Sequence, residues 1–274
     1  MTTLDADGVR TLLSGVTRAK LELLETFAEI DSTNSYLMQE PQPQPGCVRV
    51  AVTLNQTAGR GRYGKRWLSP SGSGLCLSLA YTFVREPENL PALTLAIGLG
   101  AIKALQACRV AGVMLKWPND LVLNGGKLGG ILTEAHTHSS KAISIVTGIG
   151  ININIAAGFE HELGPDRTLP VADLRACGVE LPSQDQLTAH LINATYATFA
   201  EYEACGFTPF LNRWQTHDWL QGQNVTVDVQ QQHVTGIAAG IDEEGALLLD
   251  PDNNERQRVT SGSVVATTRV GDTP

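Results

Sequence analysis

The chain has 274 residues, 42% of them hydrophobic and 18% charged, which is the composition of a soluble globular protein with a sizeable core. A formal net charge of −8 argues against a general nucleic-acid binder, because such proteins need a broad basic face to displace counterions. The five cysteines are scattered without a C-x-x-C pair, and neither a signal peptide nor a bilayer-length apolar run is visible. We therefore expect a cytoplasmic protein without a disulfide framework, a zinc site or membrane contact.

Helical spacing and apolar alternation divide the first 220 residues into a mixture of helices and strands. The predicted helices cover 4–14, 17–25, 89–110, 184–204 and 207–219, with a short one after the capping residues 31–34. The predicted strands cover 26–30, 48–54, 75–83, 113–115, 121–123, 127–135 and 142–155. Because strands and helices do not alternate regularly, the pattern predicts an α+β domain rather than a doubly wound sheet.

The sequence pattern changes after Gln221. Five short strand candidates follow at regular spacing, separated by turn signals; they cover 224–229, 233–241, 246–250, 255–260 and 264–269. Short strands joined by tight turns are typical of a small β-barrel. The sequence thus predicts a large domain over 1–220, beginning with a helical segment over 1–25, and a small β-barrel domain over 221–274.

The stretch GRGRYGKRW at 59–67 is locally basic within an acidic chain. Glycines let a backbone approach a ligand closely, and arginines bind phosphate or carboxylate through two parallel hydrogen bonds. A mobile, solvated loop is the alternative interpretation of such a cluster. No phosphate-binding P-loop or complete dinucleotide fingerprint accompanies it: Leu121 and Leu128 replace required residues around Lys127, and the G-x-G pairs lack a third glycine.

Three further motifs are KWPND at 116–120, KLGGI at 127–131 and GIGIN at 148–152. Pro, Asn and Asp are common turn formers, so KWPND could be purely structural. Lys127 enters a strand after a glycine, where it could face a pocket as a fixed point charge for an anion. Alternation puts Asn152 and Asn154 on one strand face, where their amides could bind a ribose or a base, or simply face water.

Together with Asp31-Ser32-Thr33-Asn34, these motifs make the sequence resemble the biotin protein ligases (biotin–[acetyl-CoA-carboxylase] ligases). The hallmarks of that family are a G-R-G-R-x-G-R-x-W loop, a K-W-P-N-D turn, a K-x-x-G-I strand and a G-x-G-I-N strand. All four occur here in the same order, and the resemblance spans residues 27 to 268, nearly the whole chain.

The resemblance implies a mixed-sheet, class II synthetase-like catalytic domain followed by a small SH3-like barrel. It implies an enzyme that uses ATP and Mg²⁺ to convert biotin into biotinyl-5′-AMP. The biotinyl group is then passed to one lysine of a biotin carboxyl carrier protein of acetyl-CoA carboxylase. Some members form homodimers, and whether this chain does so is left open by the sequence.

Particular residues acquire roles through this resemblance. The biotin-binding positions are Ser32, Thr33, Asn34, Gln56, Arg60, Gly61, Arg62 and Lys127. The positions that bind ATP or the adenylate are Arg60, Lys65, Trp67, Asn119, Asp120 and Asn152. The catalytic positions are Lys127, Arg62 and Asp120. Mg²⁺ is expected to be held mainly by the ATP phosphates, with Asp120 as the candidate protein ligand.

Two departures from the family pattern stand out. Lys65 replaces the second-half arginine of the loop, which keeps the charge but loses the two-pronged guanidinium that Arg62 has. Some members carry an N-terminal winged helix-turn-helix and repress transcription. Here about thirty residues precede Asp31, so we expect a ligase without DNA binding.

Two other functions remain open on the residues alone. A lipoate–protein ligase would share the architecture, but its own glycine-rich and His-Asp signatures are not visible in this sequence. A non-catalytic biotin sensor would keep residues 32–34 but would need neither Lys127 nor the basic loop. Incubation with biotin, ATP and a carrier domain separates the three functions, because only a biotin ligase transfers biotin.

Overall fold

A computed structural model of the protein describes residues 4–68, 70, 72–136, 143–156, 168–251 and 255–269. Its centre is a seven-stranded mixed sheet with the order β1-β2-β3-β7-β6-β5-β4. The strands are β1 (Leu21–Phe27), β2 (Val48–Thr53), β3 (Gly74–Thr82), β4 (Met114–Lys116), β5 (Asp120–Leu123), β6 (Gly126–His136) and β7 (Ser144–Asn152). Among the described strand pairs of this sheet, β1 and β2 run parallel and the others antiparallel.

Helices lie against both faces of this sheet. They are α1 (Ala6–Leu12), α2 (Gly15–Lys20), α3 (Thr33–Gln39), α4 (Leu93–Ala107), α5 (Gln184–Cys205) and α6 (Thr208–Gln215). Helix α4 is apolar on nearly all sides because it lies between the sheet and α5. Two glycines allow this close packing: a Cβ on Gly98 would lie 2.6 Å from Leu115 Cδ2, and one on Gly100 would lie 2.4 Å from Thr198 Oγ1.

Helix α3 occupies the opposite face of the sheet. Its Leu37 packs with Ala51, Ala80 and Val146 in a small second core. Ser32 caps the helix, with its hydroxyl accepting a hydrogen bond from the Ser35 backbone N–H at 3.3 Å. Residues 32–34 are consequently held over the middle of the sheet.

The C-terminal unit is a five-stranded antiparallel sheet with the order β11-β10-β9-β8-β12. Its strands are β8 (Gln223–Val229), β9 (Gln232–Ile241), β10 (Leu247–Asp250), β11 (Gln257–Val259) and β12 (Ser263–Arg269). It contacts the larger unit through Trp117, whose indole N–H donates to the Gly245 carbonyl at 3.1 Å. The α+β class and the small all-β C-terminal unit are thereby confirmed, whereas the exact boundary after residue 220 stays a prediction.

The prediction of a helix over 17–25 is wrong, and with it the helical segment reaching residue 25. Helix α2 ends at Lys20, and β1 already begins at Leu21. Because β1 ends at Phe27, it shares only residues 26 and 27 with the strand predicted over 26–30. The run LELLETF is compatible with either structure locally. Pairing with β2 decides the outcome because it satisfies the backbone groups of β1 and buries Leu24.

The last predicted helix, over 207–219, is also too long. Helix α6 ends at Gln215, because the next residues pair with the edge strand β4. The Leu115 N–H donates to the His217 carbonyl at 2.7 Å, and the Trp219 N–H donates to the Leu115 carbonyl at 2.8 Å. This segment covers the free edge of β4 and leads directly into the C-terminal sheet.

Helix α5 begins with a capping box that gives a stability prediction. Ser183 Oγ accepts from the Gln186 N–H at 3.2 Å, and the Ser183 N–H donates to Gln186 Oε1 at 3.0 Å. We expect Ser183→Ala to lower the free energy of unfolding by about 1 kcal/mol, because a backbone N–H of the first turn loses its acceptor. Urea denaturation measures the change. Ser261→Ala, at an exposed serine before β12, is the control; equal losses in both variants would contradict the capping role.

Candidate active site

A cavity of about 900 Å³ opens over β6 and β7. Its walls are α3, the glycine-rich loop over 59–67, the turn over 116–120 and residues 263–265 of the C-terminal sheet. Every residue predicted to bind biotin or ATP lines it: Ser32, Thr33, Asn34, Gln56, Arg60, Gly61, Arg62, Lys65, Trp67, Asn119, Asp120, Lys127 and Asn152. Folding therefore brings together motifs that are far apart in the sequence.

Strand β7 forms the base of the cavity. Gly148, Gly150 and Asn152 are alternate residues of this strand, so their Cα positions share one face. A Cβ on Gly148 would lie 2.4 Å from Asn34 Oδ1, and one on Gly150 would lie 2.6 Å from Trp67 Cε2. Any larger residue at these two positions would displace the side chains that line the cavity.

Hydroxyl and amide groups gather at the Gly148 end. Gln56 Oε1 accepts from the Thr33 backbone N–H at 2.8 Å and from the Thr33 hydroxyl at 3.1 Å. Ser78 Oγ lies 2.7 Å from Thr33 Oγ1 and 2.6 Å from Asn34 Oδ1. These side chains are mostly buried and supply both donors and acceptors, which suits an uncharged polar group such as a cyclic urea.

The glycine-rich loop is a short hairpin folded on itself. The Gly61 N–H donates to the Lys65 carbonyl at 2.7 Å, and the Trp67 N–H donates to the Gly59 carbonyl at 2.9 Å. At its tip Tyr63 has a φ of 55° and Gly64 a φ of 72°. A Cβ on Gly59 would lie 2.4 Å from the Trp67 carbonyl oxygen, so the base of the hairpin can close only on glycine.

The two predicted loop arginines have different surroundings. Arg60 forms an ion pair with Glu134 of β6. Arg62 is half-buried and contacts the exposed Tyr63: its guanidinium lies 4.9 Å from the ring centroid, and its Nη2 donates to the Tyr63 hydroxyl at 3.2 Å. Both of these contacts are made with one exposed neighbour, so Arg62 can exchange them for others at small energetic cost.

Trp67 closes the middle of the cavity. Its ring packs against Gly150, and the Lys127 ammonium lies 5.7 Å from the ring centroid. The indole Nε1 is buried and has no hydrogen-bond acceptor among the described residues. A buried N–H without a partner is costly, so this group is a candidate donor to a bound ligand.

Two lysines and one aspartate form a charged cluster in the wall of the cavity. Lys127 Nζ lies 2.7 Å from Asp120 Oδ1, and Lys116 Nζ lies 3.9 Å from Asp120 Oδ2. Lys116 also donates to Thr168 Oγ1 at 3.0 Å and is only 3% exposed. Burial lowers the pKa of Lys116 to about 8; the charges of Lys127 and Lys65 add to this effect and that of Asp120 opposes it.

The two predicted asparagines hold the backbone around Lys127. Asn119 Nδ2 donates to the Ile131 carbonyl at 2.9 Å, which fixes the turn over 116–120 against β6. Asn152 Nδ2 donates to the carbonyls of Lys127 at 3.2 Å and Ala172 at 3.0 Å. Both side chains thus have a structural task besides any contact with a ligand.

Comparison with known proteins gives the family. The profile of the Biotin/lipoate A/B protein ligase family matches residues 26–152, and that of the biotin protein ligase C-terminal domain matches residues 221–266. The biotin–[acetyl-CoA-carboxylase] ligase of Paracoccus denitrificans is 31% identical over 230 residues, covering 81% of this chain and 92% of that protein. The chain belongs to the biotin protein ligase family.

Other relatives agree with this assignment. The bifunctional ligase/repressor BirA of Escherichia coli is 34% identical over 226 residues, which cover 81% of this chain and 68% of the relative. The solved biotin protein ligase of Aquifex aeolicus in complex with biotin and ATP superposes with a TM-score of 0.72 at 25% identity, covering 92% of this chain and 99% of that one. The resemblance inferred from the sequence motifs is therefore confirmed at the level of family and fold.

Several cavity or near-cavity residues received no role from the sequence. Lys116 stood in a recognised motif, but its burial was not visible there. Ser78 and Glu134 lie inside apolar strands, and alternation in β3 and β6 is the only sequence signal that could have pointed to them. Thr168 lies outside every recognised motif, so no sequence signal was available for it.

The described residues give no indication of a resident metal site or a membrane segment. No group of three or more His, Cys, Asp or Glu side chains among them is placed to hold a metal ion. Asp120, the candidate Mg²⁺ ligand, is engaged by both lysines. None of the described helices is both long and apolar enough to cross a membrane.

The buried Lys116 gives a pH prediction. Below about pH 8 the lysine is protonated in both the folded and the unfolded chain, whereas between about 8 and 10.5 the unfolded chain holds a proton that the folded chain has lost. The free energy of unfolding of the wild type, relative to that of Lys116→Gln, should therefore rise with pH. Between neutral pH and about pH 9.5 we expect a rise of about 2 kcal/mol. Urea titrations of both proteins at neutral and alkaline pH measure this. Lys103→Gln, at an exposed lysine of α4, is the control; a difference that stays constant with pH would contradict the prediction.

Proposed function

We propose that this chain activates biotin with ATP to biotinyl-5′-AMP and transfers the biotinyl group to a lysine of a biotin carboxyl carrier protein, that of acetyl-CoA carboxylase. The observation that carries the proposal is the arrangement along β7: neutral polar groups beside Gly148, and the cation of Lys127 with Trp67 beside Gly150. Biotin has the matching order of a cyclic urea followed by a carboxylate. Membership of the family supports the same reaction, as does the similarity to known biotin ligases.

In the first step a biotin carboxylate oxygen attacks the α-phosphorus of ATP, and the bond from that phosphorus to the bridging oxygen of pyrophosphate breaks. Both reactants are anionic, so their approach is opposed by charge. Lys127 supplies a cation where the two meet, and Asp120 holds it there through the 2.7 Å ion pair. Ser32, Thr33, Asn34 and Gln56 orient the ring system so that the carboxylate points toward that lysine.

The nucleotide would occupy the part of the cavity near Trp67 and Asn152. The partnerless indole N–H of Trp67 and the cations Lys116 and Lys65 support this placement, because they offer a donor and positive charge for phosphates. Mg²⁺ would accompany the phosphates. Magnesium in nucleotide sites is bound by one or two carboxylates besides phosphate oxygens. Asp120 would supply one such carboxylate while it also pairs with Lys116 and Lys127.

In the second step the carrier lysine attacks the carbonyl carbon of the mixed anhydride. The bond to the AMP oxygen breaks, AMP leaves, and the attacking amine loses a proton as the amide forms. Until then the anhydride must be kept from water and from other amines. The hairpin over 59–67 would provide this cover, with Arg62 leaving Tyr63 to contact the adenylate.

One assay tests the proposal against its alternatives. The purified chain is given ATP, Mg²⁺, a carrier domain and either biotin or lipoate, while pyrophosphate release and labelling of the carrier are followed. Biotin-dependent release with biotinylated carrier is the expected result. Lipoylation would favour a lipoate ligase, and biotin binding without pyrophosphate would favour a non-catalytic sensor.

Replacement of Lys127 tests the activation step. Lys127→Ala removes the cation between carboxylate and phosphate, so we expect pyrophosphate release to fall by a factor that corresponds to about 2.7–4 kcal/mol of transition-state stabilisation. The measurement is the rate of biotin-dependent pyrophosphate release. Lys103→Ala removes an exposed lysine of α4 and is the control. Release at the wild-type rate would remove Lys127 from the mechanism.

Replacement of Arg62 tests the retention step. Arg62→Gly should leave adenylate formation active but allow the adenylate to escape, because the loop loses the side chain that would hold it. In a cell extract, biotin should then appear on lysines of unrelated proteins. Arg85→Gly, at an exposed arginine that does not line the cavity, is the control. Labelling that stays confined to the carrier in the Arg62 variant would contradict the retention role.

A further inference from the structure

Glu134 of β6 lies behind the cavity and contacts two of the residues that line it. Its Oε2 accepts a hydrogen bond from Asn34 Nδ2 at 2.9 Å and forms an ion pair with the guanidinium of Arg60. Glu134 itself does not line the cavity, and its side chain is 27% exposed. One carboxylate oxygen thus joins the pocket beneath α3 to the base of the glycine-rich loop.

The first contact fixes the orientation of the Asn34 amide. Its Nδ2 has two protons, and two acceptors take them: Glu134 Oε2 and the Leu132 carbonyl at 3.2 Å. Its Oδ1 is thereby directed to Ser78 Oγ and to the cavity. A carboxylate only accepts hydrogen bonds, so Glu134 disfavours the flipped amide, which would place oxygen against oxygen.

The second contact gives the loop a resting place on the sheet. Arg60 precedes the tip of the hairpin, and its guanidinium lies on Glu134 rather than on a cavity group. Lys65 and Arg66, on the other side of the tip, are exposed, and Arg62 lies on the exposed Tyr63. Among the described salt bridges, the one between Arg60 and Glu134 is the one that ties this loop to the sheet.

We propose that Glu134 is a positioning residue that sets the amide of Asn34 for the ligand and anchors the glycine-rich loop through Arg60. In this arrangement the side chain of Arg60 supports the loop, and the loop contacts the ligand near residue 60 through its backbone. The inference rests on the proposed function for the identity of the ligand, biotin. The anchoring of the loop is independent of that identity.

The two tasks respond differently to substitution. Glu134→Ala removes the acceptor of the Asn34 amide and the partner of Arg60. Glu134→Gln keeps an oxygen that can accept from Asn34 but loses the charge that holds Arg60. A shared structural role would make both variants fail in the same way, whereas two separate tasks predict that glutamine restores one of them.

Biotin affinity reports the first task. In calorimetric titrations we expect Glu134→Ala to bind biotin about tenfold more weakly than the wild type, the effect of one lost hydrogen bond. We expect Glu134→Gln to stay within about threefold, because a neutral acceptor still orients the amide. Glu201→Gln breaks an exposed ion pair between Glu201 of α5 and Arg213 of α6. This variant is the matched control and should bind biotin as the wild type does.

Tryptic cleavage of the folded, unliganded protein reports the second task, because the loop carries four basic residues in nine positions. Cleavage between residues 60 and 66, mapped by mass spectrometry, should be about two- to fivefold faster in both Glu134 variants, as expected for loss of a partly exposed ion pair. Adding Arg60→Gln to Glu134→Gln should produce no further acceleration at the remaining sites. Glu201→Gln should be cleaved at the wild-type rate.

The outcomes separate this inference from the proposed function. A wild type that binds biotin but releases no pyrophosphate would overturn the proposed function and leave the Glu134 results standing. A wild type that forms the adenylate while both Glu134 variants keep its biotin affinity and cleavage rate would overturn the inference alone. Equal loss of biotin affinity in the Ala and Gln variants, with a lowered melting temperature, would reduce Glu134 to a structural support and likewise overturn it.

Discussion

Side chains from four separate segments meet over the central sheet because strand β7 carries glycine at the two positions beneath them. Asn34 and Trp67 lie where the Cβ atoms of residues 148 and 150 would be, at 2.4 and 2.6 Å. Without those glycines neither side chain could lie flat on the sheet, and the cavity would lose both its polar end and its aromatic wall. The bare backbone of β7 at these two positions is thus the surface on which the side chains of the site pack.

The cluster of Lys116, Lys127 and Asp120 depends on a different constraint, the burial of Lys116 beside the half-buried Lys127 and one aspartate. Lys116 is taken out of water almost completely, and its lowered pKa reports the cost. Asp120 compensates both lysines, while Asn119 and Asn152 hold the strands from which Asp120 and Lys127 project. A ligand that brings negative charge would relieve this crowding of cations, which is the expected behaviour of a site built for phosphate and carboxylate.

The loop and the C-terminal sheet complete the walls by weaker contacts. The hairpin is closed by its own backbone, and Trp67 at its base packs on β7. Its tip is tied to the sheet by an ion pair between partly exposed side chains, so residues 60–66 are held more weakly than the base. The C-terminal sheet reaches the cavity with residues 263–265 and is fixed by Trp117 on Gly245. A rigid sheet beneath the cavity and a weakly held loop above it suit a reaction in which a reactive intermediate is first enclosed and then transferred.

The sequence by itself determined the fold class, the helices α3 to α5, the strands of the C-terminal sheet and those cavity residues that lie in the recognised motifs. These carry local signals: caps, apolar periodicity, turn residues and four motifs whose order is specific to one family. Only the tertiary structure decided that 21–25 form a strand, that Lys116 is buried beside Asp120, and that Arg60 lies on Glu134. Strand β1 depends on β2, the environment of Lys116 includes Thr168, and Arg60 depends on β6; these partners lie far away in the chain, so no local pattern shows them.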